Sequence, residues 1–267
     1  MTEERVRVEI VDGVADARMV RGAKHNGLDL AMFTRLVEAA NELAADRSVR
    51  AVVLSGEGPS FCAGLDFKAL MTGTGLTPEV GFAREDGQPA NFGQRAAYDW
   101  RRIPVPVIAA MHGSCIGGGA QLALAADIRT AGPDTKLAIA EIRYGLIPDM
   151  GITQYLPDLV GIDVAKELTF TGRVVGAEEA LALGLVTRLA DDPRAAAFEL
   201  AHEVASRSPD AIRQAKRLYD EGYRADARTG LALEAQLQQA LVGLPNTAAA
   251  AQATLSGEPP AFTDASF

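Results

Sequence analysis

The chain has 267 residues, 48% of them hydrophobic, enough for one large domain or a domain with an appended helical segment. A net charge of −9 argues against general binding to nucleic acid or acidic membrane, and no apolar run approaches the roughly 18 residues of a membrane span. Three histidines without ligand spacing give no metal site; two cysteines without a CxxC pair and a charged start, Met1-Thr2-Glu3-Glu4-Arg5, unlike a signal peptide, lead us to expect a cytoplasmic protein.

In chain order, Val6, Val8 and Ile10 alternate with Arg7 and Glu9, Asp12-Gly13 is a hairpin turn, and Val14 to Val20 returns as a second strand. The polar loop Arg21 to Gly27 precedes an amphipathic helix with Leu30, Phe33, Leu36, Val37, Ala40 and Leu43 on its core face. A strand at Ala51 to Ser55 runs through a glycine-bearing turn into Phe61-Cys62-Ala63-Gly64-Leu65-Asp66 and a helix start at Phe67. Thr72 to Ala90 lacks periodicity and predicts a long functional or mobile loop. A helix near 91–102 then precedes the strand Val105 to Met111.

After that strand comes His112-Gly113-Ser114-Cys115-Ile116-Gly117-Gly118-Gly119-Ala120-Gln121, three glycines opening an apolar helix. Unpaired N–H groups at a helix start lie at the positive end of its dipole, and glycine lets a ligand come close. Such a place suits a phosphate or the oxyanion that develops on a reacting carbonyl; a tight crossing needing glycine only for packing is the alternative. The loop at 61–66 repeats the strand, glycine turn and helix-start pattern, so donors from two loops can converge on one oxygen.

Further on, Asp127 to Ala131 and Lys136 to Ala140 read as strands, with helices near 151–160, 163–170 and 177–183 and a short strand at Leu185 to Leu189. From Asp192 the chain is helical, and the apolar helix near 226–242 is expected to dock on a neighbour. Glu141 at a strand end and Asp149 eight residues later are candidate acid–base groups if an apolar pocket raises their pKa values; a cap and a surface residue are the alternatives. His112 with Cys115 has no third partner and reads as structural.

Taken together these pieces resemble the crotonase superfamily, the enoyl-CoA hydratase/isomerase group. The resemblance rests on Arg21 to Leu28, Phe61 to Asp66, Pro106 to Ala110, Gly117 to Gly119, Ala125 to Arg129, Glu141 to Pro148, and Thr171-Gly172-Arg173 with Ala177 to Val186. It implies an α/β fold with a ββα spiral core over 1–195, and a helical segment over 196–267 for oligomerisation and active-site capping. It also implies a homotrimer or hexamer, and an acyl-CoA substrate that carries coenzyme A itself, with no separate cofactor.

By position, the N–H groups of Leu65 and Gly118 would form an oxyanion hole for the thioester oxygen. Arg21, Lys24, Ala63, Gly64, Asp66, Phe67 and Gly117 would line the coenzyme A and substrate path. Family hydratases place two glutamates at the positions of Gln121 and Glu141, and dienoyl-CoA isomerases place carboxylates at those of Gln121, Glu141 and Asp149. Glutamine does not titrate, so the resemblance implies double-bond isomerisation with Glu141 as proton shuttle, Asp149 assisting and Gln121 orienting. Hydration is the alternative, then a decarboxylase or thioester hydrolase of the same fold, or an idle scaffold. An RNA-binding relative is disfavoured because the longest basic runs are Arg101-Arg102 and Lys216-Arg217.

Overall fold

The computed structural model describes residues 4–72 and 76–267; residues 1–3 of the start and 73–75 of the loop expected over 72–90 lie outside the described residues. The sheet begins with the hairpin of β1 (Val6–Val11) and β2 (Val14–Met19), turned by Asp12 and Gly13 at φ 50° and 78°, the pairing of positive angles that matches strand twist. After α1 (Leu30–Ala45), β3 (Ala51–Gly56) joins β2 in parallel. Two short helices, α2 (Phe67–Met71) and α3 (Pro78–Gly81), and the longer α4 (Phe92–Arg101) lead to β4 (Val107–Met111), parallel to β3.

The chain from 114 to 138 builds a second, smaller layer. β5 (Ser114–Ile116) leads into α5 (Gly118–Ala125), β6 (Ile128–Ala131) returns to the main sheet, and β7 (Lys136–Ala138) pairs in parallel with β5. α6 (Leu156–Val160), α7 (Ile162–Thr171), β8 (Val175–Gly176), α8 (Ala177–Leu183) and β9 (Arg188–Leu189) follow. The main sheet has the order β1-β2-β3-β4-β6-β9 and the small one β5-β7-β8.

β3 and β4 are covered on both faces, which is why both read as unbroken apolar runs. Val52, Leu54, Val107, Ala109 and Met111 point to α1, α4 and α5, where Met32, Leu36, Trp100 and Leu122 are buried. Ala51, Val53, Ile108 and Ala110 point the other way, to α9 (Pro193–Ala205) through Ala197, Leu200 and Ala201. The expected boundary at 195/196 therefore falls inside a helix that covers one face of the sheet.

α5 is buried all round and begins at Gly118, two residues before the expected Ala120. The glycines lie inside the helix because it presses on the 62–65 loop: a Cβ on Gly119 would stand 2.2 Å from the Cys62 carbonyl oxygen. Other departures from the expected elements are local. The strand expected to Ala140 stops at Ala138, Leu185–Leu189 shortens to Arg188–Leu189, and 151–160 divides into a 3₁₀ turn (Ile152–Gln154) and α6.

Three helices close the chain: α10 (Pro209–Gly222), α11 (Ala227–Leu241) and α12 (Pro245–Ser256). Lys216 anchors α10 to the sheet through Asp127 Oδ2 at 2.6 Å and the Val105 carbonyl at 3.1 Å. The tail is tied back by Asn246, which donates to Asp210 Oδ2 at 2.7 Å and accepts from Thr263 N–H at 3.0 Å. On α11 Leu237 is buried while Leu231 is exposed.

Candidate active site

Two loops meet at the start of α5. The Leu28 N–H donates to the Gly64 carbonyl at 2.8 Å, and the Leu28 carbonyl accepts from the Asp66 N–H at 3.0 Å. In this parallel bridge the residues flanking Leu65 make the bonds, so the Leu65 N–H itself faces away from Leu28. On its other side the loop is stitched to β5: Cys62 N–H donates to the Ser114 carbonyl, and Ile116 N–H donates to the Cys62 carbonyl, both at 3.0 Å.

Gly117 then turns out of β5 at φ 55°, and Gly118 takes the first position of α5, where an N–H has no acceptor within the helix. A Cβ on Gly64 would lie 3.5 Å from the Gly118 nitrogen, so the two loops are in contact at this point. Neither the Leu65 nor the Gly118 N–H has an acceptor among the described residues. Two backbone donors are thus held ready by bonds their neighbours make.

Glu141 opens a 3₁₀ turn (Glu141–Tyr144) beyond β7 and stands beside Gly117, whose added Cβ would meet Glu141 Oε1 at 3.2 Å. Gln121, one turn into α5, is buried with its amide orientation set by its neighbours. Its Oε1 accepts from the Met150 N–H at 2.8 Å, which leaves Nε2 to donate to Glu141 Oε1 at 2.7 Å. The Tyr155 hydroxyl sits 2.9 Å from the Gln121 carbonyl and 3.1 Å from that of Met150, and burial pushes the phenol pKa up, keeping it neutral. Pattern reading missed Met150 and Tyr155; nothing in their local spacing marks them as supports for a residue on another helix.

Glu141 Oε2 is buried without a hydrogen-bond partner among the described residues. Burial raises the Glu141 pKa above that of an ordinary glutamate, outweighing its hydrogen bonds from backbone and Gln121, and the charge of Asp149 raises it further. Asp149 is open to solvent on the same cavity wall, yet the protein around it raises its pKa as well. Because the folded Glu141 binds its proton more tightly than the unfolded one, its contribution to stability is full at acid pH and is lost as pH rises through the raised value.

Ala63, Gly64, Leu65, Gly117, Gly118, Gln121, Glu141 and Asp149 all line one cavity of about 440 Å³. That volume suits a small-molecule site. Among the described residues its lining is drawn from 28–150, so the capping expected of 196–267 is not seen within the single chain. A separate cavity of about 510 Å³, between the end of α4 and α10, contains none of these groups.

Arg21 is already engaged: it donates to Asp66 at 2.8 Å and to the Gly27 carbonyl at 2.9 Å, and it lies 3.4 Å from Asp29. Asp66 caps α2 through the Ala69 N–H, which with Arg21 holds its carboxyl below the usual range. These contacts join the 21–27 and 62–66 loops. Lys24 is exposed nearby; Phe67 begins α2, and its side chain lies outside the described residues. His112 bonds the Gly58 carbonyl at 2.9 Å and Cys115 is buried with its thiol pKa pushed well up, which suits neither for nucleophilic work.

The family model described as "Enoyl-CoA hydratase/isomerase" matches residues 9–262. Human mitochondrial methylglutaconyl-CoA hydratase is 34% identical over 246 residues, covering 87% of this chain and 70% of its own. Human mitochondrial Delta(3,5)-Delta(2,4)-dienoyl-CoA isomerase is 36% identical over 210 residues, 76% of this chain and 64% of its own. The crystal structure of enoyl-CoA hydratase from Bacillus anthracis superposes with a TM-score of 0.87 at 30% identity, covering 97% of this chain and 99% of that one. With a match over nearly its whole length and a cavity lined by two loop N–H donors and a half-buried glutamate, the chain belongs to the enoyl-CoA hydratase/isomerase family.

Proposed function

We propose that the protein moves the double bond of an enoyl-CoA thioester, from C3=C4 to C2=C3, with Glu141 as the single proton shuttle. Glu141 takes a proton from C2, the negative charge passes through the conjugated system to the thioester oxygen, and that oxygen accepts from the Leu65 and Gly118 N–H groups. The protonated Glu141 then returns the proton to C4, so no atom is gained or lost. Gln121 aims the carboxylate and Asp149 adjusts its basicity.

The observation that carries this reading is the 2.7 Å bond from Gln121 to Glu141. By the family resemblance, an amide stands where a hydratase would have its second glutamate. Hydration is the second reading, favoured by one observation: Asp149 lies on the same wall and raises the Glu141 pKa, which makes it a candidate second carboxylate. The test compares 3-enoyl-CoA and crotonyl-CoA as substrates. Isomerisation well above hydration is expected, and Gln121→Glu is expected to raise hydration; efficient hydration by the unaltered chain would overturn the assignment.

The pH profile follows from the raised pKa. Glu141 must be ionised to accept a proton, so kcat/KM falls on the acid side at a higher pH than an ordinary glutamate would give. Removing the neighbouring charge in Asp149→Asn lowers that pKa and moves the acid limb down. A limb that stays in place or moves up would show that Asp149 does not act on Glu141. For the assembly, exposed Tyr219 on α10 and Leu231 on α11 support the homotrimer or hexamer.

A further inference from the structure

We infer that the acyl group this cavity takes is uncharged, a neutral and mainly hydrocarbon enoyl chain, and that acyl groups ending in a second carboxylate are rejected. The inference rests on reading the cavity as an acyl-thioester site and adds to it the class of acyl group. Apart from Glu141 and Asp149, the polar side chains on its walls, Thr77, Gln121 and Tyr144, are all uncharged, and the rest are apolar or small, among them Phe33, Leu76, Phe82, Leu146, Ile147 and Met150. Among the described residues no lysine, arginine or histidine lines it. The residues preceding Leu76 are Gly73-Thr74-Gly75, which bring no cation to the chain there.

The cations of the neighbouring elements are also accounted for. Arg95 on α4 is held by Asp99 at 2.9 Å and Glu85 at 3.0 Å, while Lys68, Arg84 and Arg143 are exposed and absent from the lining. A terminal carboxylate entering the cavity would lose water and find no counter-ion, and an unpaired charge against apolar walls is strongly disfavoured. It would also add negative charge to a cavity that already holds two carboxylates with raised pKa values. A hydrocarbon chain meets neither penalty.

The test separates acyl recognition from reaction type by using esters that cannot react. Hexanoyl-CoA and the monothioester adipoyl-CoA have the same six-carbon chain and differ in the terminal carboxylate. Calorimetry on the intact protein is expected to give binding at least about tenfold tighter for hexanoyl-CoA, with the coenzyme A charge common to both. Equal or tighter binding of adipoyl-CoA would overturn the inference, as would failure of both to bind.

A gain-of-function variant guards against a trivial cause. Phe82 is 65% exposed where it lines the cavity, so Phe82→Arg supplies a cation without burying one. It is expected to narrow the gap by strengthening adipoyl-CoA binding; an unchanged ratio would overturn the missing-cation explanation. Failure of the isomerase reading shows differently, as no turnover of 3-hexenoyl-CoA while the preference for hexanoyl-CoA persists.

Discussion

Glu141→Gln is expected to lower turnover of a 3-enoyl-CoA ester by about 10²–10⁴-fold, the usual worth of a positioned acid–base group, with little change in KM. The substitution is close to isosteric, and its new amide can turn its oxygen to accept from Gln121 Nε2, which now donates to Glu141 at 2.7 Å. The amide nitrogen then takes the place of Oε2, which is buried without a partner among the described residues. Loss of a buried charge offsets the burial of a neutral donor, so the variant is expected to be about as stable as the parent at neutral pH. Loss of rate with a nearly unchanged Tm separates a chemical role from a structural one. Turnover within tenfold of the parent would remove Glu141 from the mechanism. Exchange of the C2 proton of a saturated acyl-CoA in heavy water reads the same step without requiring the double bond to move.

Gly64→Ala is expected to lower turnover by about 10²–10³-fold, the cost seen when one oxyanion donor is lost. The residue sits at φ 85°, and an added Cβ would stand 2.5 Å from the Ile116 carbonyl oxygen, a backbone atom with no side chain to rotate away. The 62–66 loop and the β5–α5 junction must then separate, and those are the segments that bring the Leu65 and Gly118 N–H groups together. The backbone strain costs about 1–3 kcal/mol in addition, visible as a lower Tm. Gly243→Ala is the control. It has φ 87° with nothing within 4 Å of an added Cβ, and lies between α11 and α12, so it is expected to lose stability and keep its turnover. Equal turnover in both variants would mean that the loop contact does not set the donor geometry.

Much of the scaffold is legible along the chain because its causes are local. The Asp12-Gly13 turn, the core stripe of α1 and the apolar runs of β3 and β4 each follow from side-chain period and turn chemistry, and the structure has them where expected. The elements that differ are those whose bonds come from distant chain. Ser114–Ile116 reads as part of a glycine turn, yet it is a strand because the Cys62 loop and β7 supply its partners. α5 begins at Gly118 because close contact with the 62–65 loop replaces the usual helix-start signals. A lone amphipathic face on α9 cannot announce that it covers the sheet, which is why the boundary expected at 195/196 cuts this helix.

The candidate site divides in the same way. Residue type and order alone determined that a glutamate follows a strand, that a glutamine stands two residues after the triple glycine, and that two glycine loops each precede a helix. Only the tertiary structure decided that Met150 holds the Gln121 oxygen and so turns its nitrogen to Glu141. It also decided that Arg21 serves Asp66 and Asp29 beside the loops, and that the cavity walls carry no cation among the described residues. The physical reason is distance along the chain: turns and periodic faces arise within a few residues, whereas a pKa, an amide orientation and a cavity's charge are set by groups 20 or more positions apart that meet only when the sheet has formed.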